Sequence, residues 1–187
     1  MDATKQKILL RKKILCERDL LSDAQRTIAS RNISEQILEL KSFKQSKVVA
    51  AYMSFGSEFE TSTILSEALR LGKVVALPKI ESTRHVISFL SWNGKAEELL
   101  PGRWGILEPD PARSDFVDSS RIDFLLVPGV AFTDQGCRLG YGGGYYDSVL
   151  SKLPESSATV AAAFSLQIVP EVPIEEHDLN VQIVISS

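Results

Sequence analysis

Across residues 5–17 the apolar side chains Ile8, Leu9, Ile14 and Leu15 recur with helical spacing among basic neighbours, which predicts a first helix. The tetrapeptide SDAQ puts the Ser22 hydroxyl three residues before Gln25, a reciprocal capping arrangement that opens a second helix. KVVAAYMS, from Lys47, is a β-branched apolar run and predicts a strand. TSTILSEALRLG follows as a helix and ends at Gly72, a residue suited to the left-handed turn that stops one. KVVALPKI and HVISFLSW, the latter from His85 to Trp92, predict two more strands. Strand, helix and strand in this order build parallel sheets. Residues 93–120, rich in Gly, Pro, Asp and Glu, predict a long surface excursion that carries PGRWGILEP. RIDFLLVPGVAF then predicts a buried strand stopped by Pro128 and Gly129, YYDSVLSKL a helix, and ATVAAAFS and VQIVIS two closing strands.

Composition narrows the picture without changing it. A chain of 187 residues suits one domain, residues 1–187, and a domain of this size buries roughly 70% of the surface its unfolded chain exposes. No repeat, low-complexity tract or composition shift divides it. The formal net charge of −3 gives no support to wholesale nucleic-acid binding. Apolar runs such as VVAAYM fall far short of the roughly 20 residues that span a bilayer, so no membrane helix is predicted. The basic start MDATKQKILLRKKIL lacks the uninterrupted apolar stretch of a secretory signal, and a cytoplasmic protein is expected. Cys16 and Cys137 are far apart and form no CxxC pair, so both are expected to be free thiols.

The chemistry concentrates in RLGYGGGYYD, at residues 138–147. Glycines so dense mark backbone that bends sharply or meets a ligand closely, while the tyrosines argue against a linker. A phosphate loop of the GxxxxGK[ST] type is excluded, because no Lys followed by Ser or Thr ends the run. A dinucleotide fingerprint is excluded as well, since TDQGCRL separates the run from the preceding strand. What remains is a series of backbone N–H groups leading into a helix, with Arg138 beside them, a combination that favours an anion. For Asp147 two readings stay open at this point: service to the helix dipole, or ligation of the Mg²⁺ that travels with a nucleotide.

LLVPGVAFTDQGCRLGYGGGYYDSVL resembles the signature of the 5-formyltetrahydrofolate cyclo-ligase family, also called methenyltetrahydrofolate synthetases. The likeness extends to Lys7 and Arg11, YMSFGSEFET, Pro78, WGILEP and EEHD, in that order along the chain. It implies a three-layer α/β/α sandwich around a mostly parallel, Rossmann-like sheet. It also implies an ATP- and Mg²⁺-dependent ligase that converts 5-formyltetrahydrofolate into 5,10-methenyltetrahydrofolate and releases ADP and phosphate. By the resemblance, Lys7, Arg11 and the loop Arg138, Leu139, Gly140, Tyr141, Gly142, Gly143, Gly144, Tyr145 and Tyr146 bind ATP. Met53, Glu58, Trp104 and the stretch from Tyr141 to Tyr145 border the folate; Arg138 and Tyr145 are the catalytic candidates, and Asp147 and Asp178 the metal ligands. Glu58 either accepts hydrogen bonds from the pterin or orients N10. Where some members carry basic residues in the loop this chain has Tyr141 and Gly143, and where many carry Asp it has Gln182. A monomer is expected. Two alternatives stay open: a same-fold enzyme acting on another small molecule, and a non-catalytic folate or nucleotide binder.

Overall fold

The structure, a computed structural model, describes residues 2–81, 83–84 and 86–187. Helix α1 (Ala3–Asp19) leads to α2 (Asp23–Glu39), whose N-terminus carries the expected box: Ser22 Oγ accepts from Gln25 N at 3.3 Å and Gln25 Oε1 accepts from Ser22 N at 2.9 Å. Then come α3 (Lys41–Gln45), β1 (Val48–Ala50) and α4 (Ser62–Arg70), which stops where Gly72 takes φ +71°. Strands β2 (Val74–Glu81) and β3 (Val86–Trp92) follow as an antiparallel pair; His85, read as the start of the second, lies outside the described residues.

Residues 93–120 depart from the expected surface excursion. They hold a hairpin of β4 (Leu99–Pro101) and β5 (Leu107–Pro109), then β6 (Phe116–Val117), which pairs with β3 at the edge of the main sheet. Strands of two or three residues are too short for an alternating pattern to register, so composition alone reads them as loop. The chain continues through β7 (Phe124–Leu126), the small pair β8 (Ala131–Phe132) and β9 (Arg138–Leu139), α5 (Tyr145–Leu150), β10 (Ala158–Ala163) and β11 (Ile183–Ser186).

The main sheet runs β11-β10-β7-β1-β2-β3-β6. Its first five strands are mutually parallel, with Val49 registered between Val75 and Phe124. Side chains alternate across it as the pleat requires. Val49, Phe124 and Val160 face a cluster with Ile33 and Ile37 of α2 and Ile64 and Leu65 of α4; Ala50, Leu125 and Ala161 face another with Val149 of α5. Helices therefore cover both faces, as in a three-layer α/β/α sandwich, and strands buried on both sides read as unbroken apolar runs. Each large apolar side chain so buried contributes about 1.5–3 kcal/mol.

Helix α1 belongs to neither layer. Ile14 seats it on Val130, Ala131, Leu139 and Val172, in segments that follow the carboxyl ends of the central strands. Its inward face takes only part of the apolar pattern: Ile14 is buried and Leu15 packs beside it, whereas Ile8 and Leu9 are each 56% exposed and Lys7 and Arg18 are buried. Among the described residues no helix is long and apolar enough to cross a membrane.

Candidate active site

Residues spaced i, i+4, i+7 and i+11 share one helix face. On α1 that face presents Lys7, Arg11, Ile14 and Arg18; Lys7 reaches the C-terminal loop, Arg11 the glycine loop, and Arg18 both the glycine loop and the loop after β1. Lys7 Nζ donates to Asp178 Oδ2 at 2.5 Å and to Glu175 Oε2 at 2.7 Å. Arg11 Nε donates to the carbonyl of Gly140 at 2.7 Å. Arg18 Nε donates to Ser57 Oγ and its Nη1 to the Tyr141 hydroxyl, both at 3.0 Å. Burial pulls the Lys7 ammonium down, but its hydrogen bonds to Asp178 and Glu175 outweigh that and hold it net above the usual lysine value. Burial lowers Arg11, which stays a cation.

The glycine loop packs around the protein's own side chains. A Cβ on Gly140 would lie 2.6 Å from Arg138 Nη1, one on Gly143 2.7 Å from the Tyr145 ring, and one on Gly142 3.4 Å from the Arg11 guanidinium. Gly142 also takes φ +97° and Gly144, which caps α5, φ +65°. The bare backbone thus has a reason within the fold that is independent of any ligand. Leu139 turns its side chain into the cluster beneath α1. Tyr145 is buried and its hydroxyl accepts from Arg103 Nη1 at 2.9 Å, while burial raises the half-buried Tyr146 hydroxyl.

Arg138 is buried and committed to neighbours. Its Nη2 donates to Asp147 Oδ1 at 2.7 Å and its Nη1 to the Pro128 carbonyl at 3.4 Å, while Nε has no partner among the described residues. Asp147 Oδ1 also accepts from Leu179 N at 3.2 Å, which ties it to the residue after Asp178. Asp178 Oδ2 accepts from Glu175 N at 2.7 Å as well as from Lys7. Burial pushes the Asp178 carboxyl up, but the hydrogen bond from Lys7 and the others hold it net below the usual carboxylate range. Ligand atoms of Glu175, His177 and Asp178 all lie within 4.8 Å of one another. Among the described residues Asp147 Oδ2 accepts no hydrogen bond, and His177 Nε2 lies 4.0 Å from Asp178 Oδ1. The carboxylates of Glu175 and Asp178, with the His177 imidazole, offer oxygen and nitrogen atoms close enough to hold a divalent cation, while Asp147 approaches that segment through Leu179 N. Gln182 is occupied elsewhere: its Oε1 accepts from Thr159 N at 3.3 Å in the sheet.

Glu58 stands at the loop after β1. Its Oε2 accepts from Phe55 N at 3.0 Å and its Oε1 from the Tyr141 hydroxyl. Burial pushes the carboxyl up; the bonds from Tyr141 and Phe55 and the charge of Arg18 recover part, leaving it net above the usual value. Met53 is half-buried against the larger core cluster. Trp104 is 58% exposed, has φ +59° and carries the Arg103 guanidinium 4.2 Å from its ring centroid. The turn bearing both is anchored from below. Glu108, buried, accepts from Lys79 Nζ at 2.8 Å and lies where a Cβ on Gly102 would be, 2.2 Å from its Cδ. The structure thus gathers Lys7, Arg11, Glu58, Tyr141, Arg138 and Asp147 around α1 and the glycine loop, with Arg103 and Trp104 reaching Tyr145 from the hairpin. Arg18, Ser57, Arg103 and Glu175 escape the sequence reading. Ser57, Arg103 and Glu175 lie within quoted motifs without being singled out, and Arg18 left its position on the stripe of Lys7 and Arg11 as a signal.

Comparison with known proteins agrees over almost the whole chain. The model of the 5-formyltetrahydrofolate cyclo-ligase family matches residues 3–187. A probable 5-formyltetrahydrofolate cyclo-ligase of Caenorhabditis elegans is 33% identical over 162 residues, 82% of this chain and 79% of its own. The 5-formyltetrahydrofolate cyclo-ligase of Escherichia coli K12 is 34% identical over 74% of this chain and 76% of its own. The solution structure of 5,10-methenyltetrahydrofolate synthetase from Aquifex aeolicus superposes with a TM-score of 0.84 at 34% identity, covering 96% of this chain and 89% of that one.

Proposed function

The chain belongs to the 5-formyltetrahydrofolate cyclo-ligase family, and from that premise we propose that it activates the formyl oxygen of 5-formyltetrahydrofolate with ATP and Mg²⁺ before closing the ring. A formamide oxygen leaves poorly as oxide or hydroxide. In the proposed sequence it attacks the γ-phosphorus, ADP departs, and the formyl carbon becomes an imidate-like phosphate ester. The N10 lone pair then forms the new C–N bond, the N10 proton is lost, and the C–O bond breaks to release inorganic phosphate. Phosphoryl transfer of this kind asks the protein mainly for positioning and charge stabilisation.

The observation that carries the reading is the convergence of one helix face on the glycine loop and the folate loop: Arg11 on Gly140, Arg18 on Tyr141 and Ser57. In this scheme Lys7 and Arg11 meet the nucleotide phosphates, and Tyr145, steadied by Arg103, offers a stacking surface to the folate, with Met53 and Trp104 as walls. Arg138 acts through Asp147, holding one carboxylate oxygen so that the other faces the phosphates. Asp147 and Asp178 would hold the Mg²⁺, which when bound would supply neutralising charge to the triphosphate. Glu58 accepts from the N–H groups of the reduced pterin.

The test is 5-formyltetrahydrofolate carrying ¹⁸O in the formyl group, followed by methenyl absorbance and mass analysis of the released phosphate. Product forms only with both ATP and a divalent cation, and the label appears in inorganic phosphate. Label recovered in water rejects the phosphorylated intermediate, and turnover without ATP rejects the reading as a whole.

A further inference from the structure

Arg18 is 4% exposed and, among the described residues, has no carboxylate within ion-pair distance. A guanidinium buried without a direct counter-ion costs several kcal/mol unless its donors are matched. Here two hydroxyls intervene. Ser57 Oγ accepts from Arg18 Nε and donates to Asp19 Oδ1; the Tyr141 hydroxyl accepts from Arg18 Nη1 and donates to Glu58 Oε1. Each hydroxyl has a single proton, and committing it to a carboxylate turns a lone pair toward the arginine. The polarity of both bridges is thereby fixed, from cation through hydroxyl to anion. Neighbouring charge-assisted bonds of this kind strengthen one another.

We infer that Arg18 is a positioning residue which, through Tyr141, holds Glu58 as a fixed, ionised acceptor for the pterin N–H groups and joins the folate loop to the glycine loop. The inference rests on the proposed reading of Glu58 as a folate contact. A carboxylate offers about four lone-pair sites, and Tyr141 and Phe55 N use two of them, one on each oxygen. The remaining two lie on fixed oxygens that cannot turn away when substrate arrives. Around Glu58 stand Arg18 from α1, Tyr52 after β1, Tyr141 from the glycine loop and Tyr146 from α5, with Asp19 beyond Ser57. Arg18 is the cation of this set. The phenols stay protonated, burial being the largest cause and the Glu58 charge the next for Tyr141, so Tyr141 remains a donor.

Tyr141→Phe keeps the ring and removes only the bridge; Arg18→Gln removes the cation, and Arg18→Lys restores a charge without the forked geometry. The KM for 5-formyltetrahydrofolate is expected to rise about tenfold in Tyr141→Phe and in Arg18→Gln, as for loss of a hydrogen bond to a charged group, with the KM for ATP much less affected. The acidic limb of kcat/KM for folate moves to higher pH in both, because Glu58 loses the Tyr141 bond in one and the Arg18 charge in the other, each of which favours its ionised form. Arg18→Lys recovers part of the loss. The loss in the double variant falls short of the sum of the two single losses, since Arg18 acts in part through Tyr141 and in part by its own charge on Glu58. An unmoved acidic limb in folded Tyr141→Phe overturns the inference, whatever happens to its melting temperature, and it decides alone if Arg18→Gln does not fold. Glu58→Gln separates the two layers. If it leaves the folate KM unchanged, the reading of Glu58 and the clamp fall together; if it raises that KM while Tyr141→Phe does not, only the clamp falls.

Discussion

Single residues here are held in costly arrangements that a ligand would explain. Glu58 is the clearest, since burial raises its carboxyl and its ionised form is retained only with help from Tyr141, Phe55 N and Arg18. The sign for stability follows. A carboxyl raised in the folded state stabilises the fold while protonated and loses that contribution as the pH rises through its folded value. Glu58→Gln should therefore melt higher than the parent at pH 7.5, by about 2–4 °C for each kcal/mol regained, and the gap should close in acid. A lower melting temperature for Glu58→Gln at both pH values would mean that its hydrogen bonds outweigh its charge. On the proposed reading the same substitution is expected to impair folate binding, so that stability and function would pull this position in opposite directions. Residue types were legible wherever a motif framed them, as with Glu58 and Asp147. Their pairings were not, because Arg138 meets Asp147 and Tyr141 meets Glu58 only after folding joins segments that give no local sign of one another. Arg103 lay next to the tryptophan of a recognised motif, yet an arginine in a loop has no pattern to distinguish it from a solvated one.

Among the elements, α1 shows how a correct helix can be only half legible in its face. Ile14 and Leu15 turn inward as apolar residues should, but Ile8 and Leu9 are exposed and the cations Lys7 and Arg18 are buried in their stead. Such a face is held by partners on other segments, and pH reads those partners. Asp178 is depressed in the fold, so its contribution is present above the unfolded carboxylate value, near pH 3.9, and is lost as the pH falls through the lower folded one. Lys7 is raised, so its share persists below the unfolded value of about 10.4 and is lost only as the pH rises through the higher folded one. Asp178→Asn should accordingly melt well below the parent at neutral pH, and the difference should narrow as the pH falls below the unfolded carboxylate value; a deficit that does not change with pH would assign the loss to packing. The hairpin of β4 and β5 shows the opposite kind of misreading. Its strands are brief, and its fixed point is the pairing of Glu108 with Lys79 beneath Gly102, which no periodicity announces.

For the whole molecule, the parallel centre was legible because strands covered on both faces are long apolar runs, and the edges were not because β6 and the flanking hairpins are two or three residues long. The two large clusters that sandwich the sheet contain no side chain of α1, which rests on a smaller one. Hydrogen exchange should therefore show α1 opening at lower free energy than β1, β7 and β10, with its protection rising when ATP and folate are added. Equal protection of α1 and the central strands without ligands would contradict that order. The long span between Lys7 and its acidic partners, 168 residues to Glu175 and 171 to Asp178, bears on how the chain is made. Synthesis proceeds from the N-terminus at about 5–20 residues per second, so on the order of ten seconds or more separate the appearance of α1 from that of its anions. Throughout that interval Lys7 is without the two carboxylates it meets in the folded protein, so the docking of the start of α1 waits for the last segments to be made, whereas Arg18 can find Ser57 far earlier.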